Sequence, residues 1–170
     1  MARHVILIGL PGAGKTTVAR EAALLLDAPW TDLDAVIADE AGCAIPEIFA
    51  REGEEGFRAR ERAAMARALA APPQLIAAGG GWAGQPGNLD EAELQALVVL
   101  LEVSPAVAAR RVGAALDRPL LIGDPLPKLE ALAAQRAPFH ARAGFAIAAE
   151  AAPELVAAAL ATGAKQYAGW

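Results

Sequence analysis

A glycine-rich run near the N-terminus contains the residues best suited to chemistry in this sequence. The run GLPGAGKT at residues 9–16 satisfies the pattern G-x-x-x-x-G-K-[ST] of a phosphate-binding P-loop. Glycines let successive backbone N–H groups surround a polyphosphate, while the lysine can reach the outer phosphates and the last hydroxyl can ligate Mg²⁺. The run therefore predicts a nucleoside triphosphate site, against the alternative of a glycine turn that only joins two elements. The residues expected at the nucleotide are Gly12, Ala13, Gly14, Lys15, Thr16 and Thr17.

Two carboxylates, Asp32 and Asp34, follow the second predicted strand. Open parallel sheets bind their ligands beyond the carboxyl ends of the strands. We expect Asp32 to hold the metal through water, together with Thr16, and Asp34 to accept a hydrogen bond from a substrate hydroxyl. The alternative is that one of the two carboxylates caps the following helix, and one residue can do both.

Two weaker signals lie further along the chain. Arg58 and Glu61 are three residues apart on a predicted helix and can pair on one face, although such a pair is more often a solvated charge run. The glycines Gly79, Gly80 and Gly81 directly follow an apolar run, and glycines at a strand end allow the backbone to approach a ligand closely. A flexible turn is the alternative for this glycine run.

These residues need a scaffold, and the apolar pattern predicts one. A β-branched run at 5–8 precedes the glycine loop, and good helix formers follow it at 16–27, which indicates a strand, a turn and a helix. Near-continuous apolar strands between helical stretches indicate a parallel sheet covered on both faces, hence an α/β fold. The other predicted strands are 29–32, 74–78, 97–103 and 145–149. The other predicted helices are 33–40, 45–51, 54–70, 105–112, 128–135 and 154–161.

The segment 113–127 differs from its surroundings because it contains two glycines, three prolines and the cluster DRPLL at 117–121. It is predicted to be a long loop. Loops of this length inside compact domains are often lids over a binding site, and disorder without function is the alternative.

Composition limits the class of protein. The chain has 170 residues, 55% hydrophobic and 21% charged, which is typical of one globular domain over residues 1–170. The net charge of −5 argues against nucleic acid as a partner. Cys43 is the only cysteine, which excludes an internal disulfide and a multi-cysteine metal site and fits the reducing cytoplasm. No apolar stretch reaches the roughly 18 residues of a membrane helix. Because the sequence has no heptad pattern, it favours a monomer. We also expect the protein to bind no membrane.

In their order along the chain, the motifs resemble the shikimate kinase family over nearly the whole length. Each segment except the P-loop is weak alone, but together they are specific. The matching segments are GLPGAGKTT at 9–17, DLD at 32–34, IPEIF at 45–49, GEEGFR at 53–58 with Glu61, GGG at 79–81, RPLL at 118–121 and RAPFH at 136–140.

The resemblance implies a three-layer P-loop kinase fold with a five-stranded parallel sheet, a substrate-binding region at about 33–61 and a mobile lid at about 113–127. It implies transfer of the γ-phosphoryl group of ATP, with Mg²⁺, to the 3-hydroxyl of shikimate. The positions that match the family's shikimate-binding residues are Asp34, Arg58, Gly80 and Arg136, and to these we add Gly79 and Gly81. Arg118 matches a lid residue that contacts ATP, and we expect Lys15, Asp34 and Arg118 to be catalytic.

Physical chemistry makes these roles plausible independently. A small polyol carboxylate needs an arginine such as Arg58 or Arg136 to form a bidentate fork, and a carboxylate such as Asp34 to accept from its hydroxyls. No motif in the sequence marks the residues that contact adenine. We expect Arg110 or Arg111 to stack on the base, with a loop near 151–153 beneath it.

Two positions depart from the family pattern. His140 stands where a tyrosine is usual, and Ala38 stands where a glutamate is common; we interpret both as peripheral, with a surface or packing role for His140. Trp30, Trp82 and Trp170 are expected only to pack, and the tail 165–170 to fray. The alternative functions are another small-metabolite kinase, such as a gluconate kinase, and a noncatalytic nucleotide-binding regulatory domain.

Overall fold

Five short strands form one parallel sheet at the centre of the computed structural model, which describes residues 1–113 and 123–170. The strands are β1 His4–Ile8, β2 Trp30–Asp32, β3 Leu75–Ala77, β4 Ala96–Glu102 and β5 Phe145–Ala148. They lie in the order β2-β3-β1-β4-β5, and every neighbouring pair is parallel. The predicted five-stranded parallel sheet is therefore confirmed, with each strand within a few residues of its predicted position.

Helices cover both faces of the sheet. Those in the described ranges are α1 Lys15–Leu26, α2 Leu33–Ala41, α3 Ile45–Ala70, α4 Asn88–Glu93, α5 Pro105–Val112, α6 Pro125–His140 and α7 Pro153–Tyr167. None of them combines the length and the apolar character that crossing a membrane requires.

The central strand β1 shows how the sheet forms the middle of three layers, with helices packed on each of its faces. Its side chains alternate between faces, so Val5 and Leu7 belong to a core formed with α1 and α7. Ile6 and Ile8 belong to a second core, formed with α2 and α3 on the other face. Because β1 is buried on both faces, every one of its residues faces protein, as the unbroken apolar run predicted.

The predicted position of the boundary between the lid and the next helix was wrong. Helix α6 begins at Pro125, so the last residues of the segment 113–127 are helical. The Asp124 side chain accepts a hydrogen bond from the N–H of Leu126, and Pro125 occupies the first turn, where its missing N–H costs nothing. Most of the remaining predicted lid, including Arg118, lies outside the described residues.

The C-terminal tail does not fray as predicted. Helix α7 continues to Tyr167, and the N–H of Arg3 donates to the carbonyl of Ala168 at 2.8 Å. The indole N–H of Trp170 donates in turn to the carbonyl of Arg3 at 3.0 Å. The tail is therefore fixed against the strand that leads to the P-loop.

Two short elements were not predicted, whereas one predicted helix break was found. A 3₁₀ turn at Trp82–Gly84 and the short helix α4 follow the glycine run, and Trp82 is almost fully buried there. The two helices predicted at 45–51 and 54–70 are both present. They form the two halves of α3, separated by a bend at Gly53, whose φ of 71° and ψ of −178° are not helical.

His4, at the start of β1, should make stability depend on pH. Its ring is buried, and burial lowers its pKa below 6.5, opposed by a hydrogen bond to the backbone of Leu69. The unfolded chain therefore binds a proton that the folded chain does not, and the free energy of unfolding should fall below pH 6.5 by at most about 1.4 kcal/mol per pH unit. Urea unfolding between about pH 7.5 and 5.5 should show a steeper loss for the parent than for His4→Gln. Equal slopes would mean that the ring titrates normally.

Candidate active site

The P-loop connects β1 to α1, and its backbone depends on glycine. Gly9, Gly12 and Gly14 have φ values of 149°, 85° and 91°, which residues with a side chain rarely adopt. A Cβ at Gly12 would also lie 2.8 Å from the carbonyl oxygen of Ala108 on α5. The loop is therefore wrapped tightly between α1 and α5, and it ends at the N-terminus of α1, where the helix dipole favours anions.

Lys15 is held by the loop itself. Its ammonium group donates to the carbonyl oxygens of Gly9 at 2.8 Å and Leu10 at 3.1 Å, and the residue is only 8% exposed. The lysine is thus oriented along the loop before any phosphate arrives. A phosphate oxygen that binds the ammonium group of Lys15 would therefore compete with these two carbonyl oxygens and not with bulk water.

An arginine on α5 joins the P-loop to the far edge of the sheet. One Nη of Arg111 donates to the carbonyls of Gly12 at 3.2 Å and Ala13 at 3.4 Å, and the other donates to Ala149 at 2.9 Å. Arg110 is exposed and lies near Glu150, whose pKa is lowered first by hydrogen bonds from Ser104 and further by the two arginines. The sequence did not separate these arginines, whereas the structure places Arg111 against the P-loop.

The two candidate metal ligands lie together at the carboxyl end of β2. The hydroxyl of Thr16 donates to one carboxylate oxygen of Asp32 at 2.7 Å. The other oxygen of Asp32 accepts from the N–H groups of Asp34 at 3.0 Å and Ala35 at 3.4 Å, which caps α2. Asp32 therefore caps the helix and also faces the P-loop.

This donor set fits Mg²⁺. Thr16 and Asp32 both offer oxygen, and Mg²⁺ is held in kinases by one or two such groups, with water and phosphate completing its octahedron. Across residues 1–113 and 123–170, no group of three or more His, Cys, Asp or Glu side chains could hold a metal without such help.

A cavity of about 420 Å³ opens beside the P-loop and contains the other predicted substrate residues. Charged side chains line one part of it: Asp34 from α2, Arg58 and Glu61 from α3, and Arg136 from α6. An apolar wall lines another part, formed by Ala35, Ala38, Ile45, Pro46, Phe49 and Phe57. The cavity therefore suits a small molecule that combines polar groups with a carbon ring.

The charged part of the cavity is buried and crowded. Arg58 donates to Glu61 at 2.8 Å, and these residues are 7% and 0% exposed. Burial raises the pKa of Glu61 above its usual value, and the Arg58 guanidinium opposes the rise. Burial, and then the positive charge of Arg58, lower the pKa of Arg136 to about 10. Within the described residues, the Nη1 atom of Arg136 has no hydrogen-bond partner. Two buried guanidiniums at one cavity form a site for an anion.

Gly79 and Gly81 each make room for a charged side chain of the site, whereas a Cβ at Gly80 would first meet Pro11 of the P-loop, at 3.1 Å. A Cβ at Gly79 would lie 2.4 Å from the Oε1 atom of Glu61 and 3.2 Å from Asp34. A Cβ at Gly81 would lie 2.3 Å from an Nη atom of Arg58. The predicted close approach of a ligand to these glycines stays a prediction. The structure adds that side chains of the site already lie against Gly79 and Gly81.

Glu61 is the site residue that sequence reasoning did not assign. Its spacing from Arg58 suggested only a pair on a helix surface, and the pair is in fact buried at the cavity. The signal available was the glycine run, since a glycine triplet at a strand end implies that something large lies against it.

The two departures from the family pattern both lie near the site. Ala38 is part of the apolar wall of the cavity. His140 is half-buried one helical turn after Arg136, and it lines a second cavity beside Leu10 of the P-loop. Burial, then the charges of Arg136 and Lys15, lower the pKa of His140 to about 4, so the ring is neutral at neutral pH.

Comparison with known proteins agrees with this geometry. The sequence profile of the shikimate kinase family matches residues 11–162. The shikimate kinase of Symbiobacterium thermophilum is 44% identical over 143 residues, which cover 82% of either chain. That of Thermobifida fusca is 46% identical over 139 residues, covering 79% of this chain and 78% of its own.

Solved structures give the same picture. The shikimate kinase of Acinetobacter baumannii in complex with shikimate superposes with a TM-score of 0.90 at 32% identity, covering 94% of this chain and 91% of that one. A gluconokinase from Sinorhizobium meliloti shares the fold, with a TM-score of 0.68, at only 15% identity over 99% of this chain and 94% of its own. With a profile match over most of its length and relatives above 40% identity, the chain belongs to the shikimate kinase family.

Proposed function

We propose that the chain transfers the γ-phosphoryl group of ATP to the 3-hydroxyl of shikimate, giving shikimate 3-phosphate and ADP, a step of aromatic amino acid biosynthesis. The observation that carries the proposal is the convergence of two buried arginines, Arg58 and Arg136, and two carboxylates, Asp34 and Glu61, on one cavity beside a P-loop. A small polyol that carries a carboxylate needs such a set.

The two arginines and Asp34 bind different groups of the acceptor. The buried Nη1 atom of Arg136, which has no hydrogen-bond partner in residues 1–113 and 123–170, supports its role as the fork for the acceptor carboxylate, with Arg58 as the second donor. Glu61 holds the Arg58 guanidinium in place. Asp34 accepts from the acceptor hydroxyl and takes its proton as the phosphoryl group transfers. The glycines at 79–81 let these side chains lie side by side.

Donor binding belongs to the P-loop and the groups around it. The backbone of residues 12–17 and the N-terminus of α1 cradle the phosphates, and Lys15 neutralises charge on the outer ones. Thr16 and Asp32 hold Mg²⁺, which when bound offsets the negative charge that develops on the phosphoryl oxygens. Arg118, in the segment outside the described residues, remains our candidate for a further cation at the phosphates, as part of a lid over the site. For the adenine contact, the bonds of Arg111 to the P-loop favour it over Arg110.

An ADP-release assay with ATP and either shikimate, gluconate or no acceptor tests this proposal. Shikimate alone should stimulate ADP release. Stimulation by gluconate instead would favour a gluconate kinase, and ATP binding without any acceptor-dependent turnover would favour a regulatory domain. The buried charges at the acceptor cavity argue against the regulatory alternative, since unneeded buried charges are costly.

Replacing Arg136 by lysine should separate charge from geometry. An ammonium keeps the positive charge but cannot present two parallel donors, and a charged hydrogen bond is worth roughly 1.5–3 kcal/mol. We expect kcat/KM for shikimate to fall about ten- to a hundredfold, with ATP affinity in the absence of shikimate little changed. The control is Arg142→Lys, since Arg142 pairs with Asp90 and Glu93 on the surface. If Arg136→Lys lost ATP affinity instead, Arg136 would belong to the nucleotide site.

We also propose that the chain acts as a monomer in the cytoplasm. Its P-loop and its acceptor cavity are both formed by residues of this one chain, so the proposed reaction asks for no group from a second copy. The proposed donor, ATP, is a cytoplasmic metabolite.

A further inference from the structure

The bend of α3 at Gly53 is crossed by an ion pair. Arg60 donates to Glu52 through two nitrogens, Nε to Oε2 at 2.9 Å and Nη2 to Oε1 at 2.7 Å. The two residues are eight apart, whereas ion pairs along a straight helix join residues three or four apart. Eight residues of straight helix would separate them by about 12 Å along the axis. The pair therefore depends on the bend.

Two glycines make this geometry possible. Gly53 supplies the left-handed φ of 71°, and a Cβ placed on it would have no other atom within 4 Å, so only its conformation matters. Gly56 acts by its lack of a side chain, because a Cβ there would lie 2.5 Å from the Cβ of Glu52. Glu52 thus passes alongside the following turn of the helix to reach Arg60.

Both halves of α3 line the acceptor cavity, but only the half after the bend carries charged residues there. Ile45 and Phe49, before the bend, belong to the apolar wall. Arg58 and Glu61, after the bend, belong to the charged part. The rings of Phe49 and Phe57 pack across the bend with centroids 4.7 Å apart. The bend angle therefore sets the distance between the wall residues before it, Ile45 and Phe49, and the buried charges after it.

We propose that Glu52 and Arg60, the α3 clasp, are positioning residues that fix this angle and so set the width of the acceptor cavity for shikimate. The choice of acceptor rests on the proposed function; the mechanical role of the clasp does not. A hydrogen bond from Arg60 lowers the pKa of Glu52, so the pair is ionised at neutral pH. Neither residue lines the cavity, so the clasp acts through the orientation of the helix halves.

Steady-state kinetics of Glu52→Gln, Arg60→Gln and the double variant test the proposal. Because the two side chains are 37% and 35% exposed, we expect a modest rise in the KM for shikimate, about two- to fivefold, with kcat and the KM for ATP unchanged. The double variant should be no worse than either single one, since two residues that act as a pair are not additive. The matched control is Glu47→Gln, which breaks the ion pair of Glu47 with Arg51 within the first half of α3.

Gly56→Ala tests the same geometry without removing a charge. Alanine favours helix more than glycine does, so a higher KM in this variant would come from the displaced Glu52 side chain and not from a weaker helix. A KM equal to that of the parent in Glu52→Gln, an equal rise in Glu47→Gln, or additive effects in the double variant would each overturn the proposal.

Hydrogen exchange without ligands keeps the test independent of the acceptor. Amides at 53–57 should exchange faster in Glu52→Gln than in the parent or in Glu47→Gln. If the parent fails to phosphorylate shikimate, the proposed function fails, and this measurement still decides the clasp. Equal exchange in the three proteins would rule the clasp out.

Discussion

Replacing Lys15 by methionine should lower kcat for shikimate about a hundredfold while the protein stays folded. The ammonium group, already oriented by the carbonyls of Gly9 and Leu10, is the P-loop's own cation at the outer phosphates. Loss of one oriented charge in a site of this kind costs roughly 3 kcal/mol in the transition state, which is about a hundredfold in rate. Methionine keeps the apolar stem of the buried side chain, so thermal unfolding followed by circular dichroism should change little.

The matched control for this change is Lys165→Met, because Lys165 is exposed on α7 far along the chain from the loop. Its kcat should equal that of the parent. Near-parental turnover in Lys15→Met would remove the basis for the P-loop assignment, whatever happened to ATP binding.

Replacing Asp34 by asparagine should have the largest effect on the acceptor. The amide has nearly the same shape, but it cannot take a proton and it offers one acceptor oxygen in place of two. A positioned general base contributes about 10²- to 10⁴-fold, so we expect kcat/KM for shikimate to fall within that range. ATP affinity measured without shikimate should hardly change.

Two further variants, Asp32→Asn and Asp39→Asn, test whether the effect of Asp34→Asn is specific to that position. Asp32 faces Thr16, so its variant should need more Mg²⁺ for half-maximal rate. Asp39 is exposed on the same helix as Asp34, and its variant should behave like the parent. If Asp32→Asn changed only the melting temperature, capping of α2 would be the whole role of Asp32. Parental kinetics in Asp34→Asn would remove Asp34 from the acceptor site.

Local sequence patterns predicted the scaffold because each predicted element had its own signal. The apolar run before Gly9 predicted β1, and the P-loop pattern predicted the start of α1 to within one residue. The short helix α4 was missed because its six residues, NLDEAE, carry no apolar period. The start of α6 was misplaced because Pro125 and Pro127 were interpreted as loop residues, whereas proline also suits the first turn of a helix.

The internal order of the site could not be predicted in the same way. Arg58 and Arg136 lie 78 positions apart, and only the packing of α3 and α6 on the sheet makes their charges interact. Burial of Glu61 is likewise a tertiary property, since its spacing from Arg58 fits a surface pair equally well. The break at Gly53 was predicted from the sequence, but the ion pair that crosses it, Arg60 with Glu52, was not.

The glycine run at 79–81 has a consequence for mutational scanning of this enzyme. Any side chain at Gly79 or Gly81 would occupy the space of Glu61 or Arg58. A substitution at either glycine would therefore displace one of those two charged side chains. A scan scored on growth would therefore rank both glycines beside the catalytic groups, and the scores alone would not separate ligand contact from displacement of a neighbouring side chain. The space that the Glu61 carboxylate and the Arg58 guanidinium occupy would by itself account for this intolerance, whether or not the acceptor also approaches these glycines.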